Sequence, residues 1–184
     1  MKTTQRGLMV ALALAGSLAG AGALAATSEA KLAYNAARDA AASSYKAARA
    51  RCDGITGNPK DVCIEEAKAA RVRTEADAEA QYKNTVRAYT KARVAIADAN
   101  YDVDKTRCKA LTGNDKDVCI EQAKASEVAA KADAKADKKV IDARNGARED
   151  KRIAEYKVAS EKCDALAGSA KDTCVTAAKS QYGY

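Results

Sequence analysis

The stretch Cys52-Asp53-Gly54-Ile55-Thr56-Gly57-Asn58-Pro59-Lys60-Asp61-Val62-Cys63 decides the fold, because the chain writes it three times. It recurs as Cys108-Lys109-Ala110-Leu111-Thr112-Gly113-Asn114-Asp115-Lys116-Asp117-Val118-Cys119 and as Cys163-Asp164-Ala165-Leu166-Ala167-Gly168-Ser169-Ala170-Lys171-Asp172-Thr173-Cys174. Each cysteine pair encloses ten residues, and corresponding cysteines lie 56 and then 55 residues apart. The agreement continues outside the pairs. Tyr45, Tyr101 and Tyr156 each stand seven residues before a first cysteine. Ile64, Ile120 and Val175 follow the second, and Ala67-Lys68, Ala123-Lys124 and Ala178-Lys179 come next. Self-similarity at a fixed period marks a repeat architecture.

Each element of the repeat has a physical task. Gly57, Gly113 and Gly168 are placed to take the left-handed conformation that ends a helix. Asn58, Asn114 and Ser169 then predict side-chain caps for the next helix, accepting its orphan N–H bonds. Asp61, Asp117 and Asp172 complete a variant capping box and favour the positive helix end. Pro59 falls at the first helical position, where a missing N–H costs nothing. The unit is a helical hairpin. Its cysteines lie five residues before and six after the glycine, at similar heights on antiparallel helices. Small alanine contacts let such helices approach to the roughly 5.5 Å Cα separation that a disulfide needs. The spacing predicts bridges Cys52–Cys63, Cys108–Cys119 and Cys163–Cys174, each stabilising its hairpin by about 3 kcal/mol in the chain-entropy model.

Working outward, residues 59–111 and 115–166 contain no proline. Each reads as one helix, about 80 Å long at 1.5 Å per residue. Tyr82, Thr85, Tyr89, Ala92, Ile96, Ala99, Val103, Thr106 and Ala110 recur in steps of three and four, the seam of an antiparallel coiled coil. Leu32 to Ile55 and Ala170 to Tyr182 give shorter first and last helices. Asn145-Gly146 is the weak point of the third. The expected fold is all-α: an antiparallel long-helix bundle or coiled coil of three disulfide-stapled hairpins. It forms one elongated repeat domain over 26–184, with turns near 57, 113 and 168. Turns one and three are expected at one end of the rod, and turn two at the other.

Composition fits this reading. Phe, Trp and His are absent from the 184 residues, and one proline and ten glycines interrupt a chain rich in Ala and Lys. Such residues are strong helix formers, but alanine buries little apolar area. The N-terminus reads as a cleavable signal peptide over 1–25. Met1 to Arg6 is basic, Leu8 to Leu24 is apolar, and Ala23-Leu24-Ala25 offers a small-x-small cleavage site. The run is short for a membrane span and ends in no basic stop. Export places the six cysteines in an oxidising compartment, where an even number means bridges. The style of the signal points to a bacterial periplasm.

The chemical inventory argues against an enzyme. No His is available as a base or ligand, and oxidised cysteines leave no thiolate. A ten-residue gap is wrong for a zinc pair, so neither a metal nor a cofactor is expected. Charge is +7, with 32 Lys+Arg interleaved among 25 Asp+Glu as on solvated helices. No basic block or basic-aromatic stripe points to nucleic acid. A basic exported protein suits weak attraction to anionic lipid headgroups, peptidoglycan or polyanionic clients. Tyr45, Tyr101 and Tyr156 share the cysteine face and are expected to pack over the disulfides.

The motif Cys163-Asp164-Ala165-Leu166-Ala167-Gly168-Ser169-Ala170-Lys171-Asp172-Thr173-Cys174 resembles the hairpin of small Ala/Lys-rich exported proteins of Gram-negative bacteria. These are often labelled cell-envelope biogenesis proteins similar to TolA. The resemblance covers the whole chain after the leader and implies an envelope location, but carries no functional residues with it. Taken together, the expectation is a non-enzymatic periplasmic structural or interaction protein of the cell envelope. It would not span the membrane once processed, and its thin alanine seam leaves room for a homo-oligomer. The alternative is a periplasmic holdase for unfolded envelope proteins, since exported holdases of the Skp type are similarly basic and helical. A disulfide-exchange or metal-buffering protein is a third class, and it requires free thiols.

Overall fold

A computed structural model describes residues 21–184. The leader expected over 1–25 therefore lies mostly outside the described residues. Five α-helices follow in order: α1 (Ala21–Arg51), α2 (Asn58–Lys83), α3 (Val86–Cys108), α4 (Gly113–Cys163) and α5 (Gly168–Tyr182). A short 3-10 turn, Cys52–Gly54, closes α1, and Arg49 holds Asp53 there at 2.8 Å. Successive helices are antiparallel, and each packs on its neighbours in sequence and on no other described helix. The fold is all-α, built from three stapled hairpins (α1–α2, α3–α4 and α4–α5) as the repeat predicts.

One turn was not legible in the repeat. The helix expected over 59–111 is two helices, because the chain reverses at Asn84-Thr85. Asn84 adopts the left-handed conformation (φ 44°) and its N–H reaches the Ala80 carbonyl. Thr85 then caps α3, its hydroxyl accepting from the Ala88 N–H at 3.1 Å. The coiled-coil seam breaks there: Tyr82 and Tyr89 on either side are exposed, while Ala92, Val103 and Thr106 are buried against α2. The extra turn also moves the ends of the rod. Asn58 donates to the Thr106 carbonyl at 2.8 Å, so turns one and two lie at the same end and not at opposite ends.

The third long helix is continuous. Gly113 to Cys163 runs 51 residues straight through Asn145-Gly146, about 76 Å at 1.5 Å per residue. Every residue from Lys139 to Arg152 is exposed. This segment is held by its own side chains: Lys138 pairs with Asp142, Arg148 with Asn145, and Arg152 with Glu149 at 2.7 Å. Such spacings of three and four support a helix that lacks tertiary contacts.

The capping expectation needs correction. The cap positions are Gly57, Thr112 and Ala167, and none makes a side-chain cap hydrogen bond. Asn58, Asn114 and Ser169 are already inside their helices, as are Asp61, Asp117 and Asp172. Of these acids only Asp61 lies in a first turn; in α4 that place belongs to Asp115. The reason is where the glycines sit. Gly57, Gly113 and Gly168 do have positive φ (68°, 55° and 58°), but they open the following helix and do not close the preceding one. The helix start moves back with them, and Asn58 is left free to bond across to α3.

The core is thin. Its buried apolar side chains are Val103 and alanines such as Ala41, Ala78, Ala97, Ala123, Ala134 and Ala178. The largest fully buried side chains are Cys52, Cys108 and Cys163. With so little apolar area per helix pair, the staples carry an unusual share, and exposed cross-helix ion pairs add a little. Arg107 meets Glu66 at 2.6 Å between α3 and α2, and Arg93 meets Asp137 at 2.5 Å between α3 and α4.

Candidate functional site

The repeat motif assembles into three stapled turns of matching geometry. Cys52–Cys63, Cys108–Cys119 and Cys163–Cys174 are bonded, each with Cα atoms 5.7 Å apart, and no cysteine is free. An oxidised pair offers no free thiolate as nucleophile or soft ligand. Among the described residues no group of three or more His, Cys, Asp or Glu side chains is placed to hold a metal ion.

About two turns from each staple the repeated tyrosine reaches the second helix of its hairpin, and what it meets there is a cation or another ring, different in each repeat. The Arg71 guanidinium lies 5.6 Å from the Tyr45 ring. Lys124 lies 5.0 Å from the Tyr101 ring and Lys105 5.5 Å from it. Tyr156 instead meets Tyr182 edge-on at 6.3 Å and Tyr184 at 4.4 Å. Aligning the repeats explains the change, since Arg71, Glu127 and Tyr182 occupy one position, eight residues after the second cysteine. Gly183 (φ 72°) ends α5 and turns Tyr184 back, where the Arg152 guanidinium lies 5.4 Å from its ring. The C-terminal tyrosines thus close the third hairpin as an aromatic clasp. Cation–π and edge contacts of this kind are worth about 0.5–1.5 kcal/mol each.

Between this clasp and the third staple lies a groove of about 620 Å³. Ala154, Val158, Ala159, Cys163, Cys174, Ala177 and Ala178 form its floor, with Glu155, Lys162 and Gln181 also lining it. Val158 is 56% exposed. The groove is open because, among the described residues, α5 packs on α4 alone.

The buried charge is Glu127 on α4, a residue that sequence reading did not single out. Glu127 is 6% exposed, the one buried carboxylate among the described residues. Lys124 donates to one of its oxygens at 2.6 Å and Lys131 to the other at 2.5 Å; Lys131 also pairs with Asp98 of α3. These hydrogen bonds, from Lys124 first and then Lys131, push the Glu127 carboxyl down to about 2. The same network raises Lys131, through Asp98 and then Glu127, and raises Lys124. The available signal was a glutamate with lysines three before and four after it. The cluster ties α4 to α3 through Lys131 and Asp98.

Lys171 bonds Asp164 across the third turn at 2.9 Å. No family model, no curated protein and no solved structure matches this chain. Among the described residues no helix is long and apolar enough to cross a membrane. The three disulfides fit an oxidising compartment.

Proposed function

We propose that this chain is a non-catalytic structural and interaction protein of a bacterial cell envelope, held in the periplasm, where it acts as a stiff helical spacer. The observation that carries this reading is α4. It is one 51-residue helix that joins the α1–α4 array to the third stapled hairpin through an uncovered middle. Staples at both ends stop the helices from fraying where a thin alanine core would not. The basic surface suits envelope partners: proteins, peptidoglycan or anionic lipid headgroups. A holdase role is the second reading, favoured by the open groove beside Val158 and by exposed Val128, Val140 and Ile141 along α4.

Crosslinking the tagged protein in living cells, with mass spectrometry of what is captured, separates the two. A small, defined set of envelope proteins or peptidoglycan fragments supports the spacer. A broad set of unfolded outer-membrane proteins assigns the holdase role instead, and capture of nothing in the envelope removes both.

A further inference from the structure

The α2–α3 contact has a twin in the sequence that α4 leaves unmade. Counted from the cysteines, Ala76 and Ala80 of α2 correspond to Ala132 and Ala136, 56 residues on. Ala88 and Ala92 of α3 correspond to Ala143 and Ala147, 55 residues on. In the first pair of repeats these alanines form a packed cluster, with Ala80, Ala88 and Ala92 at 1%, 9% and 5% exposure and Ala76 against them. All four counterparts on α4 are exposed. The valines beside them repeat the contrast. Val103 is 6% exposed at the α2–α3 contact, whereas its counterpart Val158 is 56% exposed. Val72 is half-buried, whereas its counterpart Val128 is 55% exposed.

Connectivity explains the difference. Asn84-Thr85 reverses the chain between α2 and α3, bringing the two halves of the contact face to face. The corresponding stretch around Val140 is one residue shorter, as the 56- and 55-residue offsets require, and has no Asn-Thr stop and cap. Helix α4 therefore runs on. Both halves of the contact lie end to end along it, and at 3.6 residues per turn Ala132, Ala136, Ala143 and Ala147 fall within about 60° of one another. A straight helix cannot bring its own halves together, but two antiparallel copies can.

We propose that this stripe is a self-association surface whose occupant is α4 of a second copy of this chain. Ala132 and Ala136 of one copy pack against Ala147 and Ala143 of the other, about a two-fold axis near Lys139 and Val140, in the register that α2 and α3 already use. Each copy supplies both halves, so the contact is isologous and closes at two. It goes beyond the spacer reading, which needs no dimer.

The test is sedimentation equilibrium of the whole protein over a range of concentrations, with Ala136→Glu/Ala143→Glu as the variant and Ala36→Glu, on the exposed side of α1, as control. Glutamate is a good helix former, and circular dichroism verifies that each variant stays folded. The expected result is a dimer that the control preserves. The double variant should raise its Kd by about a hundredfold or more, because it buries unpaired carboxylates at the contact. A monomer at every concentration overturns the proposal, and so does a dimer indifferent to the double variant. A monomer shorter in solution scattering than α4 itself would assign the stripe to a folded-back α4 and overturn the second copy.

Discussion

At the scale of single residues, the thin core makes polar groups conspicuous. Glu127 is buried in a structure whose other buried side chains are nearly all alanine, valine or cysteine. It is tolerated there because Lys124 and Lys131 each bond one of its oxygens, as a buried charge requires. Its folded-state carboxyl titrates at about 2, below the ordinary value of 4.5. A depressed carboxylate stabilises the fold above its unfolded value, and the contribution fades as pH falls from 4.5 through 2. Thermal melting between pH 5 and pH 2 should therefore show a decline that Glu127→Gln reduces. The variant should melt lower than the parent at pH 7, with the gap closing in acid. An unchanged acid profile would mean that Glu127 does not couple to folding. The raised Lys131 predicts the opposite limb: its share persists below 10.5 and is lost as pH rises past that value. The turn glycines were legible at this scale from their spacing alone, since positive φ is a property of the residue. The caps were not, because the helices start one or two residues earlier than the polar side chains suggest, so that Gly57, Thr112 and Ala167 hold the cap positions instead of Asn58, Asn114 and Ser169.

At the scale of elements, the hairpins hold together chiefly at their stapled ends. Each disulfide closes a loop of sequence separation 11. Removing the first with Cys52→Ser/Cys63→Ser should cost about 3 kcal/mol, read as a lower denaturant midpoint and faster proteolysis within α1 and the start of α2. Midpoint and proteolysis equal to the parent's would show that alanine packing alone holds the hairpin. The staples were readable because ten-residue spacing and a central glycine fix height and facing together. The α2–α3 turn was not. Asn84-Thr85 carries no proline or glycine, and a left-handed asparagine followed by a capping threonine is a weak local signal beside strong helix formers on both sides. What stabilises the reversal is non-local: it allows Ala80, Ala88 and Ala92 to bury one another and Arg107 to reach Glu66. Gly146 errs in the other direction. Its roughly 1 kcal/mol helix penalty reads as a break, yet α4 passes through, because exposed pairs at spacings of three and four support that stretch.

At the scale of the whole molecule, length distinguishes this fold from a closed bundle of the same helices. Because α4 is continuous, small-angle scattering should give a maximum dimension of at least about 76 Å; a smaller value would mean that α4 bends. The sequence by itself determined the helical class, the three hairpin units, the pairing of all six cysteines and the left-handed glycines. Those follow from local rules: propensity, periodicity and the short reach of a disulfide. Only the tertiary structure decided which junction between repeats turns and which runs straight, which ends meet, and where the lone buried carboxylate lies. The two junctions share their alanines but differ around them, with Lys138, Arg144 and Lys151 where the first has Tyr82, Tyr89 and Ile96. One residue of length and one Asn-Thr pair tip a small balance between a packed alanine face and an unbroken helix, and that balance is set by contacts between residues distant in the chain.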